Sequence, residues 1–475
     1  MSIKTLGKQS LVYGIGHILA RLVTFLLLPL YTNVFTASEY GVVALFYTFL
    51  SFMNVIMRYG LGAAFLKFYV PASDSERNAI FTNVIASLFL TGIPFFLVWH
   101  GFRNLISPII LGINEPSFIS IMGIIIVLDT IWSIPLLGFR AENRPILFII
   151  FSLLNVGITI GLNLFLILKM NMGIRAIFLS NLSASLCIFS LSLPFIYQRF
   201  EFALLDKTRW KSIITFALPF LPAGLFSMAM EVADRYILKY LTDLSTVGIY
   251  NAGYKIGMLM MLAVTAFNFG WQPFFLEQGK GANQEKLFGK VTTLVLAGLG
   301  FIWLILMLWA DDFIQLKIMG YSFFGEEFQR SIPIVPWIAL GYLFYGFYVL
   351  QTPGIFLKDR PGIAAWTRLL GATSNIIFCF IFIPLYGAIG AAMATCLAFF
   401  LMLVMMYWWN TKLYPIRLEW RKIGFITIIL ISGFFVSRGS ADNLFINILI
   451  TGLYPIGLIG SGIIKMDSFK SRIAN

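Results

Sequence analysis

The chain has 475 residues, of which 59% are hydrophobic and only 12% charged, and its mean hydropathy is +0.88. Soluble domains carry about 25% charged residues, so a soluble globular protein is excluded, and the net charge of +13 need not mean a nucleic-acid partner. Apolar runs of about eighteen or more residues recur without alternation, which predicts α-helices spanning a hydrocarbon core about 30 Å thick and excludes a β-barrel.

The opening MSIKTLGKQS is weakly basic and runs into apolar sequence with no small-residue cleavage site, so it reads as the start of an uncleaved first helix. Fourteen spans follow in chain order, with ends good to about 2–4 residues. The first six cover 10–35, 40–66, 79–100, 117–139, 146–168 and 174–197. The basic stretch QRFEFALLDKTRWK (198–211) then interrupts them and is expected to lie along the cytoplasmic surface. The next six cover 213–238, 246–275, 290–310, 331–357, 362–383 and 388–410, and the last two 422–437 and 444–464. Cys187, Cys379 and Cys396 all fall inside spans, without a CxxC spacing, and read as small core residues.

Allocating the 34 Lys and Arg to alternating sides places 22 on the side of the N-terminus, seven on the other side and five inside spans. Cytoplasmic loops carry the Lys/Arg excess, so both termini are expected in the cytoplasm. An odd helix count would spoil that alternation. The high charge is therefore mostly topology.

Three internal echoes appear six helices apart. SEYGVVALFY (38–47) matches STVGIYNAGY (245–254) at Ser38/Ser245, Gly41/Gly248 and Tyr47/Tyr254. RAENRP (140–145) echoes KDRP (358–361), and GIRAIFLSNLSA (173–184) echoes GAIGAAMATCLA (387–398). Six is an even number of crossings, so the halves would be parallel repeats related by an axis along the membrane normal. The expected plan is a six-helix lobe over 1–197, a linker over 198–212, a second lobe over 213–411 and two added helices over 412–475.

The opening LGKQSLVYGIGHILARLVTFLLLPLYTNVFTASEYG (6–41), RYGLGAAFLKFY (58–69) and ADRYILKYLTDLSTVGIYNAGYK (233–255) carry a family likeness. With the six-plus-six-plus-two plan, the chain resembles the polysaccharide-transporter, Wzx-like flippase family of the multidrug/oligosaccharidyl-lipid/polysaccharide exporter superfamily. The likeness covers nearly the whole chain. It implies movement of undecaprenyl-diphosphate-linked oligosaccharide, for O-antigen, capsule or a related polymer, from the cytoplasmic to the periplasmic leaflet of the bacterial inner membrane. Membrane lipids, a polysaccharide polymerase and a proton or sodium ion are the expected partners of a monomeric transporter, and nucleic acid is not among them.

Eight charged residues remain inside spans. Arg21, Arg58, Lys255 and Arg368 are assigned to a substrate cavity that receives the diphosphate, because fixed cations replace its lost hydration and Arg grips phosphate oxygens bidentately. Arg21 lies too deep for its side chain to reach water easily. Arg58 and Lys255 are intermediate, and Arg368 is shallow enough to snorkel. Asp129, deep in the fourth span, and His17, one turn from Arg21, are candidates for ion coupling or a charge pair. Glu231, Asp234 and Arg235 form a self-neutralising group near the outer end of the seventh span. Glu231 and Arg235 stand in the favourable i,i+4 order, so the three read as a hydrated outer gate or interlobe contact.

The sequence has no GxxxxGK[ST], HExxH, Ser-centred elbow or Cys/His cluster, so no ATP cassette, metal site, cofactor or enzyme activity is expected. Two other readings remain. A small-cation exporter of the same superfamily should favour acids in its spans, which the excess of cations opposes. A membrane glycosyltransferase or polymerase should carry a large external loop, yet the longest here runs only from Asp311 to Arg330.

Overall fold

A computed structural model of the protein describes residues 25, 27–142, 144–279, 281, 283–318, 321–439 and 444–463. They form an all-α polytopic membrane fold. Eleven helices among them are long and apolar enough to cross a membrane. One of the eleven, Gly362–Leu413, is broken at Gly387 (φ 54°, ψ −129°), a backbone setting open to glycine. Asn375 and Thr395 would lie about 30 Å apart on a straight helix, yet their side chains hydrogen-bond at 3.2 Å. The chain therefore doubles back and crosses twice. With the shorter Leu444–Gly460 this accounts for thirteen of the fourteen expected spans; most of the first, 10–35, lies outside the described residues.

The chain falls into two compact units, residues up to Gly248 and residues from Ile249 onward. The first unit contains α1 (Leu28–Val34), α2 (Ala37–Arg58), α3 (Leu61–Tyr69), α4 (Asp74–Gly101), α5 (Arg103–Leu111), α6 (Pro116–Ala141), α7 (Pro145–Leu168) and α8 (Arg175–Arg199). A short 3₁₀ turn, α9 (Lys207–Ala217) and α10 (Phe220–Leu241) follow. Local chemistry sets these ends. Thr36 and Glu39 form a capping box at α2, and the Ser73 N–H donates to Glu76 Oε2 (3.0 Å) at α4. Asp206 accepts from the Thr208 and Arg209 N–H groups at α9, and Pro116 and Pro145 open α6 and α7, where a missing N–H costs nothing.

The core of the first unit joins α3, α4 and α6 through Leu61, Phe65, Phe81, Val84, Ile131 and Ile134. The basic stretch near 200–211 is tied to α4 rather than hanging free. Trp210 Nε1 donates to Ser87 Oγ (2.8 Å), Asn83 Nδ2 to the Leu204 carbonyl (3.0 Å), and the Glu201 N–H to Thr82 Oγ1 (3.1 Å). Hydroxyls within the spans return to carbonyls one turn back, as Thr130 does to Ile126 (2.6 Å). Such a bond keeps the hydroxyl satisfied where no water reaches it.

The helix α11 (Leu244–Gly257) runs from the end of the first unit into the second. There it is followed by α12 (Leu259–Gln278), α13 (Gln284–Leu308), the short α14 (Ala310–Gln315), a two-residue β-hairpin, α15 (Ile334–Leu350), α16 (Pro353–Leu357), the doubled α17 (Gly362–Leu413), α18 (Trp420–Gly439) and α19 (Leu444–Gly460). The last two helices pack on α13. Leu304, Ile426, Ile450 and Leu458 form their common core, and the buried Tyr454 hydroxyl donates to the Ala297 carbonyl (2.9 Å).

Candidate functional site

The helix is interrupted within expected spans two and eight, sharply in the second and by a single residue in the eighth. The second breaks at Tyr59–Gly60, between α2 and α3, and the eighth at Met258, between α11 and α12. Each first half ends with a cation in its last turn, Arg58 on α2 and Lys255 on α11. The unsatisfied carbonyls of a helix C-terminus favour a positive charge by about 0.3–1 kcal/mol. Broken helices at membrane depth occur where backbone lines a cavity or is buried in protein.

Arg58 is half-buried, and its Nε is buried without a hydrogen-bond partner. Asp129 interacts with it electrostatically from α6. Asp129 stands at the middle of that helix, twelve or thirteen residues from Ala141 and Pro116, and so about 20 Å from either end. Its Oδ1 accepts from Trp132 Nε1 (2.9 Å) and from Ser185 Oγ of α8 (2.6 Å).

Lys255 is half-buried in the second unit, and Arg368 is exposed near the start of α17. Arg21 and His17 lie outside the described residues. In the group from the seventh span, Arg235 Nη1 pairs with Asp234 Oδ1 (2.7 Å) and reaches back to the Glu231 carbonyl oxygen (2.6 Å). Asp234 is fully buried and Arg235 nearly so. The expectation of a hydrated stripe does not hold for these two, because their pairing satisfies both charges inside the protein. One turn on, Lys239 Nζ donates to the carbonyls of Pro108 (3.0 Å) and Ile109 (2.5 Å), capping the C-terminus of α5.

Sequence reasoning missed two arrangements. The first is the pair of donors on Asp129, since Ser185 lies 56 residues away on another span, among several serines that spacing alone does not tell apart. The second is a polar knot at the expected cytoplasmic end of the first unit. Glu142 Oε1 accepts from the Tyr69 hydroxyl (2.6 Å) and pairs with Arg199 Nη2 (2.6 Å), while Arg144 Nε lies 3.4 Å from its Oε2. Arg77 and Arg199 both sit over the Tyr69 ring. Burial pushes the Tyr69 phenol above its usual range, and the bond to Glu142 reinforces the shift. The signal was present in RAENRP (140–145), read there only as a repeat echo. A polar cleft of about 740 Å³ opens beside the knot, lined by Arg77, Asn78, Glu142, Arg144 and Arg199 among others.

Helices broken beside cations inside an all-α membrane fold are features found in the membrane-embedded sites of transporters. Residues 6–277, more than half of the chain, match the family model described as polysaccharide biosynthesis protein, and the chain belongs to that family. A probable low-salt glycan biosynthesis flippase, Agl15, of Haloferax volcanii is 23% identical over 43% of this chain and 42% of its own length. The chain spans less than half the length of the first curated relatives it matches. Among solved structures, the lipid II flippase MurJ in an inward closed conformation superposes with a TM-score of 0.78, at 17% identity over 96% of this chain and all of that one. An inward-facing multidrug resistance MATE transporter of the MOP superfamily gives 0.65, at 12% identity over 87% of this chain and 94% of that one. These structural likenesses establish the shared fold.

Proposed function

We propose that the protein is a flippase that carries an undecaprenyl-diphosphate-linked oligosaccharide, the repeat unit of an O-antigen, capsule or related polysaccharide, from the cytoplasmic to the periplasmic leaflet. Membership of the polysaccharide biosynthesis family carries this reading. The half-buried Arg58 at a helix break supports it, because a diphosphate crossing a low-dielectric core needs a fixed countercharge on its path. In this scheme Arg21, Arg58, Lys255 and Arg368 receive the diphosphate, and the prenyl tail stays in lipid. Glu231, Asp234 and Arg235 belong to the outer gate. Two six-helix lobes, 1–197 and 213–411, joined by 198–212 and followed by the helices of 412–475, alternate access in the inner membrane with both termini in the cytoplasm. An ion gradient drives the cycle, with Asp129 and His17 as the groups available for coupling.

The test is flipping of a lipid-linked oligosaccharide by the purified protein in proteoliposomes, with complementation of a flippase-null strain beside it. Wild type should support both, and Arg58→Gln neither while still inserting in the membrane. Export of small organic cations without movement of the lipid-linked sugar would instead favour the small-cation exporter. Sugar transfer or polymerisation by the purified protein would favour an enzyme.

A further inference from the structure

We infer that Asp129 is the internal counter-ion of Arg58: the carboxylate balances the charge of the guanidinium when no substrate is bound and yields it to the phosphate of an entering substrate. This rests on the reading of Arg58 as a diphosphate ligand given above.

Three observations carry it. Both hydrogen bonds to the carboxylate, from Trp132 Nε1 and Ser185 Oγ, end on the same oxygen, Oδ1. Asp129 is half-buried, and among the described residues its Oδ2 has no hydrogen-bond donor, so that oxygen is the open face of a fixed group. Arg58 Nε is buried without a partner, and the two charges interact electrostatically without forming a direct ion pair. The anion is thus clamped through one oxygen, with the other left for a donor that can come and go.

Among the described residues, Arg58 is the charged group whose interaction with Asp129 the structure shows. Other charged groups on the described elements packed against α6 gather toward its ends, while Tyr47 of α2, bonded to Asn181 Nδ2, and Cys187 of α8 are neutral groups nearer its middle. Arg199 and the Tyr69 hydroxyl meet at Glu142, and His100 Nδ1 bonds to Ser120 Oγ. From α8, Asp129 receives a neutral hydroxyl, that of Ser185.

The arrangement has two settings. Without substrate, the carboxylate balances the charge of Arg58 and the empty transporter can reorient without an uncompensated cation in a low-dielectric interior. With a phosphate present, the guanidinium turns to it and is replaced at Asp129 by water or nothing, while Trp132 and Ser185 keep the carboxylate in place. Asp129 therefore competes with the substrate and lowers its affinity. Removing the negative charge should tighten binding at the expense of turnover.

The experiment measures binding of geranylgeranyl diphosphate to the purified full-length protein in nanodiscs, for wild type, Arg58→Gln, Asp129→Asn, Ser185→Ala and the double variant Arg58→Gln/Asp129→Asn. Asp129→Asn should bind about tenfold more tightly than wild type, the scale of a coupling between two sites. Misfolding does not produce a gain of that kind. Ser185→Ala, which loosens the clamp and lets the carboxylate follow Arg58, should bind more weakly. Arg58→Gln should lose most binding, and adding Asp129→Asn to it should change nothing further. If wild type binds no better than Arg58→Gln, the diphosphate reading of Arg58 falls and this inference with it. If the two differ but Asp129→Asn binds like wild type or more weakly, or its effect persists without Arg58, the counter-ion role alone is overturned.

Discussion

The knot around Glu142 gives the sharpest stability prediction. Its side chain is 7% exposed and that of Arg199 is 19% exposed, with 2.6 Å between Oε1 and Nη2. Breaking a fully buried ion pair costs about 3–5 kcal/mol, because the surviving charge is left uncompensated. Arg199 retains some solvent, a bond to Asn78 Oδ1 (3.3 Å) and the Phe195 ring at 5.2 Å, which lowers the figure to about 2–3 kcal/mol. Glu142→Gln keeps the shape but turns an N–H donor toward Arg199 or the Tyr69 hydroxyl, so it should realise that loss. Unfolding the purified protein by SDS titration in mixed micelles, followed by tryptophan fluorescence, measures it. Tyr69→Phe, which removes one hydrogen bond to a charged acceptor, should cost about 1.5–3 kcal/mol. Glu142→Gln/Arg199→Met should cost clearly less than the sum of its two single changes. A Glu142→Gln protein within about 0.5 kcal/mol of wild type, or strict additivity in the cycle, would refute the claim that this carboxylate ties α3, α6 and α8 together.

Other tests address separate parts of the molecule. A Cβ on Gly41 would sit 2.0 Å from the Leu244 carbonyl oxygen and one on Gly248 1.9 Å from that of Ala37. Gly41→Ala and Gly248→Ala should therefore each cost at least about 1–3 kcal/mol in the same SDS titration, and a neutral result would show that the start of α11 does not lie against α2. Tyr454→Phe should cost about 1 kcal/mol by loss of its bond to the Ala297 carbonyl; an unchanged unfolding curve would mean that this bond does not help seat α19 on α13. Although burial raises its pKa, the Glu419 carboxyl is held below its usual range by hydrogen bonds from Lys422 and Thr293. Its contribution is present above the unfolded value of about 4.3 and is lost as pH falls through the depressed folded value. Since the pair is partly exposed, Glu419→Gln should shift stability at neutral pH by less than about 1 kcal/mol and flatten the loss of stability in acid, both read from unfolding midpoints against pH.

How far the sequence reaches is clearest where its signals were local. Hydropathy located the spans because each is a continuous run whose length is fixed by the thickness of the hydrocarbon core. The glycines of the 38–47 and 245–254 echo, matched only as letters, turn out to touch backbone to backbone, since no side chain could fit between the helices there. Arg58 and Lys255 were legible as intramembrane cations, but their common setting at the ends of half-helices was not. The breaks at Tyr59–Gly60 and Met258 fall inside runs that hydropathy reads as continuous spans, and packing helps to decide the backbone there. At Gly60 a Cβ would strike the Ala217 carbonyl at 2.1 Å, a contact between residues far apart in the chain.

Asp234 and Arg235 mark the same boundary. Helical spacing suggested Glu231 as the natural partner of Arg235 and water as their surroundings, whereas the fold buries Arg235 beside Asp234 and turns it back to a carbonyl of its own helix. The sequence by itself determined that this is a polytopic α-helical membrane protein of the polysaccharide biosynthesis family with charges left inside its spans. Composition and periodicity are properties of single segments, and the bilayer acts on each segment separately. Only the tertiary structure decided which charges meet, where helices break and which oxygen of Asp129 stays open. Those outcomes depend on the exclusion of water and on side chains brought together from helices that are not neighbours in sequence.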